Sequence, residues 1–466
     1  MDESAFTAKL LLEQLKYNKQ GTLLRKKLLL FDVGLFVLLC SSLVPCARAA
    51  SMWSRIYSAA NSYDIAYSLV EASDGGYALA GNIFVKTDAL GNKEWNKTYG
   101  GIACSLVATS DGGYVMAGAN ISYANYSGAT NQNFWLAKTN ALGTMQWNRT
   151  YGGTGDDVAY SLVATADGGY ALAGDTWSFG ADGANFWLVK TDEYGVMEWN
   201  RTYGGTGDDC ARALVATSDG GYALAGIWNC TTFNPLDLVG NYEGGNAWLV
   251  KTDALGNMEW NRTYGGTGGD LAFSLIATSD GGYALAGTWD YTMAFLFAGT
   301  GNADFWLVKT DALGNMQWNK TYGGIGEDLA YSLVATPDGG YALAGVCNFT
   351  GPFGDGSADA WLVKTDALGN MQWNKTYDGT GNNWGDDWTY SVIAASDGGY
   401  ALAGAASLVN HIDFEHGQQL HSDFWFVKTD EWGVVPEYSS WLVPALVLTA
   451  TAFILINRKR LLRTRS

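Results

Sequence analysis

SLVATADGGYALAG (residues 161–174), followed after a short break by FWLVKTDEYGVMEWNRTYGG (residues 186–205), is one of seven near-copies of a single unit. The tetrapeptide Asp-Gly-Gly-Tyr marks each copy, at Asp74, Asp111, Asp167, Asp219, Asp280, Asp338 and Asp397. Self-similarity at a fixed spacing of roughly 50 to 60 residues signals a repeat architecture, in which no unit buries its apolar face alone. The unit reads as four short strands. Tyr160 to Thr165 is small and apolar, and Asp167-Gly168-Gly169 supplies a tight turn in which glycine takes positive φ. Tyr170 to Ala173 is the second strand, Phe186 to Thr191 the third, and Met197 to Tyr203 the fourth, after a turn at Asp192 to Gly195. Apolar strands come first and the polar strand last. That gradient predicts a propeller blade whose inner strand lines a crowded axis and whose outer strand meets solvent.

The two ends of the repeat array match each other. Met52 to Tyr57 is a degenerate fourth strand with no blade before it, and the last unit has a third strand, Phe424 to Thr429, but no fourth. The sequence therefore predicts an all-β, seven-bladed propeller of four-stranded blades over residues 52–433. Its N-terminal strand completes the last blade and removes the exposed sheet edges.

Outside the propeller, residues 1–49 read as an export signal. Arg25, Lys26 and Lys27 precede an apolar stretch from Leu28 to Cys46, interrupted by Asp32, and Ala47-Arg48-Ala49 has a small-x-small cleavage pattern. Retention as an uncleaved anchor is the alternative. Residues 434–457 read as a short linker and a transmembrane helix, because Tyr438 to Ile456 is an uncharged run long enough to span a bilayer. Residues 458–466 form a basic tail with Arg458, Lys459, Arg460, Arg463 and Arg465, placed on the cytoplasmic side by the positive-inside rule. These readings predict a single-pass cell-membrane protein with an extracellular propeller and a cytoplasmic C-terminus.

The chain carries a net charge of −18. Both ends are basic, with seven Lys/Arg against four Asp/Glu over 1–49 and five Lys/Arg without an acid over 458–466, so the body holds about −26. Such a body repels phosphate backbones and excludes nucleic acid as a partner. Cations and basic surfaces suit it better.

The repeat resembles secreted bacterial and archaeal propeller repeats built on Asp-Gly-Gly-Tyr and Asp-Gly-Asn-x-x-Trp turns. The TDALGNMQW segment is similar, more distantly, to the Trp-bearing motifs of kelch, Asp-box and quinoprotein propellers. These likenesses imply shared turn-and-tryptophan packing, not shared chemistry. The tail beginning Pro436-Glu437-Tyr438 resembles the C-terminal anchoring tails of archaeal surface proteins.

Several residue sets are candidates for function. An acid precedes the inner strand at Asp64, Asp157, Asp209, Asp270, Asp328 and Asp387. It forms either a carboxylate ring able to hold Ca²⁺ or steer a cationic ligand, or a set of turn caps for backbone N–H groups. Arg212 replaces the Tyr or Phe usual at its inner-strand position and is a candidate cation at the channel. His411, Asp413, Glu415, His416 and His421 crowd one loop and offer ligands for Zn²⁺ or another transition metal. Cys210 and Cys230 flank one hairpin and are candidates for a disulfide. Ten Asn-x-Ser/Thr sequons are candidate glycosylation sites: Asn96, Asn120, Asn125, Asn148, Asn200, Asn229, Asn261, Asn319, Asn348 and Asn374. The Trp series Trp53, Trp95, Trp147, Trp199, Trp260, Trp318 and Trp373 reads as inter-blade packing.

Length variation divides the faces. Loops from strand two to strand three, such as 119–133, 227–246 and 405–423, differ in length and composition, whereas the turns on the opposite face are uniform. Variable loops on a rigid scaffold are where binding is usually placed. The reading is a monomeric binding or adhesion module for a glycan or protein ligand. The alternatives are an extracellular enzyme, either a metal- or quinone-dependent oxidoreductase or a glycan-active hydrolase or lyase, and a structural envelope component. No catalytic residue set identifies itself in the sequence.

Overall fold

A computed structural model describes residues 53–57, 64–120, 132–230, 244–291, 303–324, 326–349, 358–379, 386–409 and 421–435. They contain twenty-eight strands, numbered β1 to β28 in chain order, arranged as seven antiparallel four-stranded sheets. Blade three shows the pattern: β10 (Asp157–Ala164), β11 (Tyr170–Thr176), β12 (Asn185–Thr191) and β13 (Met197–Tyr203) pair in sequence order. The second and third strands are buried throughout, while the fourth alternates exposed and half-buried residues. The apolar-to-polar gradient of the sequence is thus the radial axis of the blade.

The ring closes as predicted. In the seventh sheet β1 (Trp53–Ile56) pairs with β28 (His421–Lys428), followed by β27 (Tyr400–Val409) and β26 (Asp386–Ala394). Trp53 lies opposite Lys428 and Ile56 opposite Trp425. The propeller is therefore one compact unit, Trp53–Val435, whose two ends share a sheet.

Three repeated contacts join and brace the blades. In the first, the outer-strand Trp of one blade lies beneath the 3–4 turn of the next. Gly314 has φ +75, and a Cβ there would come within 2.5 Å of the Trp260 ring. Both the positive φ and the ring's approach require glycine at that place. In the second, the outer-strand Tyr donates its hydroxyl hydrogen to the same glycine's carbonyl: Tyr57 to Gly91 at 2.7 Å, Tyr264 to Gly314 at 2.7 Å and Tyr322 to Gly369 at 2.7 Å. All seven blades make this latch. Removing one buried hydroxyl leaves a carbonyl without its donor. Tyr322→Phe is expected to cost about 1 kcal/mol, read as a shifted urea midpoint at unchanged slope.

The third contact works inside each blade. The Lys of strand three sends a buried ammonium to the Asp of the Asp-Gly-Gly turn, as Lys190 does to Asp167 at 2.7 Å, and also to Glu198 at 2.8 Å. The pairing recurs in every blade. Lys190 and the Thr165 hydroxyl hold Asp167 down to about 2. The Asp-Gly-Gly-Tyr signature is therefore half of an ion pair, whose other half is the Lys of the Val-Lys-Thr segment. At the inner seam, Ser side chains of one blade accept the backbone N–H of the next, as Ser161 does from Leu214 at 3.1 Å.

Candidate functional site

The acids before the inner strands are turn clamps. Asp209 is fully buried and accepts the N–H groups of Gly205 at 2.8 Å and Asn229 at 2.7 Å. Asp270 does the same for Gly266 and Asp290, and Asp328 for Gly324 and Asn348. Asp157 accepts from Gly153 and from the hydroxyls of Thr176 and Ser178. Asp387 accepts from Gly379, and Asp64 from the Asn82 amide. In blades three to seven the carboxylate thus pins the chain arriving from the previous blade, and in blades three to six it also holds the end of its own strand two; Asp64 of blade one holds Asn82 of its own blade. Burial raises the pKa of Asp157, Asp209, Asp270 and Asp328. The geometry is that of the capping reading. No group of three or more metal-ligating side chains occurs among the described residues.

The clamps fix the base of the variable-loop face. Asn229, Asp290 and Asn348 take φ of 58 where strand two gives way to its loop. A second acid reaches across to the preceding blade: Asp156 accepts from Gln132, Asp208 from Ala184 and Asp386 from Ala358. Glu327 holds this place in blade six, and burial pushes it up to about 7. Strand three begins with Asn185 and Asn246 in blades three and four, but with Asp304 and Asp359 in blades five and six. Burial raises both of these acids as well. Asp423 holds the same register position in blade seven, so blades five to seven carry the acidic sector of this face.

Beneath the loops lies a ring the sequence only hinted at. Every inner strand has a β-bulge one residue before its Leu-bearing segment, and the bulged residues are Tyr67, Cys104, Tyr160, Arg212, Phe273, Tyr331 and Tyr390. A bulge turns an extra side chain out of the ladder, here toward the axis. On one side the ring is aromatic: Tyr331 lies 5.1 Å from both Phe273 and Tyr390, and Tyr390 5.2 Å from Tyr67. Trp388 stacks behind Tyr331 at 5.9 Å.

The other side is polar. The Arg212 guanidinium lies 3.9 Å over the Tyr160 ring, a cation–π contact in a desolvated place. Asp175, from strand two of blade three, is fully buried beside them. Burial pushes it up to about 7 against the pull of Arg212. The Tyr160 hydroxyl is near enough to act on Asp175, but the geometry leaves that hydroxyl and both carboxylate oxygens short of a hydrogen bond. Arg212 therefore serves as Asp175's counter-charge inside the axis, not as a cation open to a ligand at the channel mouth. Sequence reasoning passed over Asp175. The available signal was its uniqueness, since the residue after Ala-Leu-Ala-Gly or its equivalent is Asn82, Ala119, Ile227, Thr288, Val346 or Ala405 in the other blades.

Cys210 and Cys230 are neighbours in blade four and both are free, buried thiols. Cys210 lies opposite Ile227 and Cys230 opposite Asp208, whose carbonyl is 3.3 Å from the Cys230 sulfur. Of the histidine cluster, His421 is the first residue of β28, opposite Val409; His411, Asp413, Glu415 and His416 lie outside the described residues, as does Asn125.

The outer-strand sequons have structural work. The Asn200, Asn261, Asn319 and Asn374 amide oxygens accept from the indole N–H of a strand-three Trp at 3.3 to 3.4 Å. Asn148 and these four also turn their NH₂ groups to a Met sulfur three residues earlier. Asn96 occupies the same place in blade one, opposite Val85. Asn120 accepts from the Asn133 N–H at 2.7 Å, and Asn229 and Asn348 sit at the positive-φ corners described above.

The architecture is a seven-bladed β-propeller, a fold that commonly serves as a binding scaffold. It is structurally like BamB from Moraxella catarrhalis, at 11% identity over 80% of this chain and 98% of that one, with a TM-score of 0.40. It is also like the WD40 domain of Neurospora crassa Pan2, at 10% identity over 81% of this chain and 94% of that one, with a TM-score of 0.48. A protein of unknown function from Bacteroides caccae matches at 12% identity over 67% of this chain and 93% of that one, with a TM-score of 0.39. No protein-family model and no curated protein matches the sequence.

Proposed function

We propose that this protein is a membrane-anchored, extracellular binding or adhesion module whose ligand is taken by the variable-loop face. The observation that carries the reading is the contrast between the faces. Two uniform turns per blade cover one side, while the other carries loops of unequal length on bases clamped by buried carboxylates. A rigid base under divergent loops suits recognition, because specificity varies with the loops while the ring stays unchanged. The acidic sector of blades five to seven and the acidic body favour basic partners, or glycans and proteins bearing amino groups. The signal-like segment 1–49 and the uncharged run 438–456 support export and anchoring.

The test uses the full chain in phosphatidylcholine vesicles, probed with a glycan array and with a panel of basic peptides. Replacing residues 231–243 or 410–420 by Gly-Ser segments of equal length is expected to abolish specific binding, with melting unchanged. Binding that survives both replacements but is lost on changing the uniform turns overturns the loop-face assignment. Release of the chain from cell membranes by alkaline carbonate overturns the anchor.

A further inference from the structure

Six outer strands carry Asn-x-Thr, at Asn96, Asn148, Asn200, Asn261, Asn319 and Asn374. All six asparagines are exposed. Side chains two apart share a face of a strand, so each Thr stands beside its Asn; five of these Thr residues are exposed and Thr202 is half-buried. The fourth strand is the outer edge of its sheet. The six motifs therefore form a belt around the rim, one to a blade, between the turn face and the loop face.

The scaffold accounts for the Trp and Tyr of these strands, but not for the Asn and Thr. Blade seven shows this, because its outer strand is β1. Trp53 and Tyr57 are kept there, while Ser54 and Ile56 hold the Asn and Thr places. Ser54 lies opposite Val427 as Asn200 lies opposite Val189, and Ile56 opposite Trp425 as Thr202 lies opposite Trp187. Ser54 accepts the Trp425 indole N–H at 2.9 Å, so the indole does not need an amide. Ile56 is 43% exposed, so its place does not need a hydroxyl. Blade one shows the converse. Ile83 stands where blade three has Trp187, and Lys93 where it has Met197. Asn96 thus has neither that indole nor that sulfur, yet Asn96-Lys97-Thr98 is complete. Six strands have both Asn and Thr and one has neither, and the indole contact does not follow them.

We propose that these six asparagines are N-glycosylated, giving the propeller a belt of glycans that covers its rim and leaves both faces open. This rests on the export reading above, because the acceptor motif serves secreted chains. The donor is a lipid-phosphate-linked oligosaccharide. The Asn Nδ2–C1 bond forms, the C1–O bond to the phosphate breaks, the lipid phosphate leaves and the amide gives up one proton. The product keeps Oδ1 and one N–H. Oδ1 is the atom that accepts the indole N–H in blades three to six, and the Met sulfur takes one of the two Nδ2 hydrogens. The sugar therefore joins the amide without removing either contact. The belt hinders side-by-side association of propellers, and its gap falls at blade seven.

The experiment is peptide mass mapping of the full-length protein isolated from its own cells. A membrane-impermeant amine reagent applied to the intact cells reads surface exposure in parallel. Sugar-bearing masses on the six outer-strand peptides, and a bare β1, are the expected result. Thr321→Ala is expected to leave Asn319 unmodified, and Thr321→Ser to keep its glycan, with the melting temperature little changed because Thr321 is exposed. Bare outer-strand peptides overturn the belt, as does sugar confined to the loop sequons Asn120, Asn125, Asn229 and Asn348. Bare peptides from a chain that the amine reagent labels overturn the belt alone. Bare peptides from a chain it does not reach overturn the export reading as well.

Discussion

Trp53→Ala is expected to destabilise the propeller by about 3–5 kcal/mol, as for other buried large-to-small changes, and to open its seam. The Trp53 ring is buried, lies edge-on to Phe426 at 4.6 Å and to Tyr77 at 6.3 Å, and fills the space under Gly91. It thus touches the last blade and the first at once. Its strand is short and is held to β28 by four register positions. Elsewhere the outer strand joins its blade through a short turn, so a lost contact there leaves the strand tethered. Trp260→Ala removes the same kind of wedge from a blade closed by its own chain and serves as the control. Hydrogen exchange should quicken in β28 and in Ser54 to Ile56 for Trp53→Ala, and stay slow there for Trp260→Ala. Equal exchange in the two variants would show that the N-terminal strand is not the clasp.

Arg212→Met is expected to destabilise the propeller increasingly as pH rises above 7, because it removes the positive charge that favours the buried Asp175 carboxylate. Asp175→Asn in the same background should recover most of the loss. The coupling of the two sites in a double-mutant cycle is the measurement. The pH dependence has a defined sign. Asp175 titrates near 7 in the folded protein, above the ordinary unfolded value of about 3.9. The folded state therefore holds the extra proton between about pH 4 and pH 7. The associated stability is full below that window and lost as pH rises through it. Glu327, also raised to about 7, adds a slope of the same sign, so the effect of Asp175 is the difference between wild type and Asp175→Asn. A difference that does not change from pH 4 to pH 8 would show that Asp175 is not held protonated.

The fold was readable because the same information is written seven times. Strand order, turn positions and the closing strand all followed from period and polarity, and the structure adds only a few residues to each strand. The site was readable in part. The acids before the inner strands were found, and the choice between a cation ring and turn caps needed their hydrogen bonds to be seen. Gly205, Asn229 and Asp209 are twenty or more residues apart at their extremes, and sequence carries no sign that both N–H groups meet one carboxylate. Asp175 was missed for a related reason. A lone acid in a variable position looks like loop chemistry until the bulge at Arg212 in the next blade is seen to face it.

Sequence alone determined the seven blades, their four strands, the uniform and variable faces and the clasp at Trp53, because these depend on local periodicity and turn residues. Only the tertiary structure decided which charges are spent on architecture. The Asp-Gly-Gly turns pair with strand-three lysines, the acids before the inner strands clamp backbone, and Arg212 balances Asp175. Burial and partnership are properties of residues brought together across blades, and a repeat unit read by itself does not contain its neighbour.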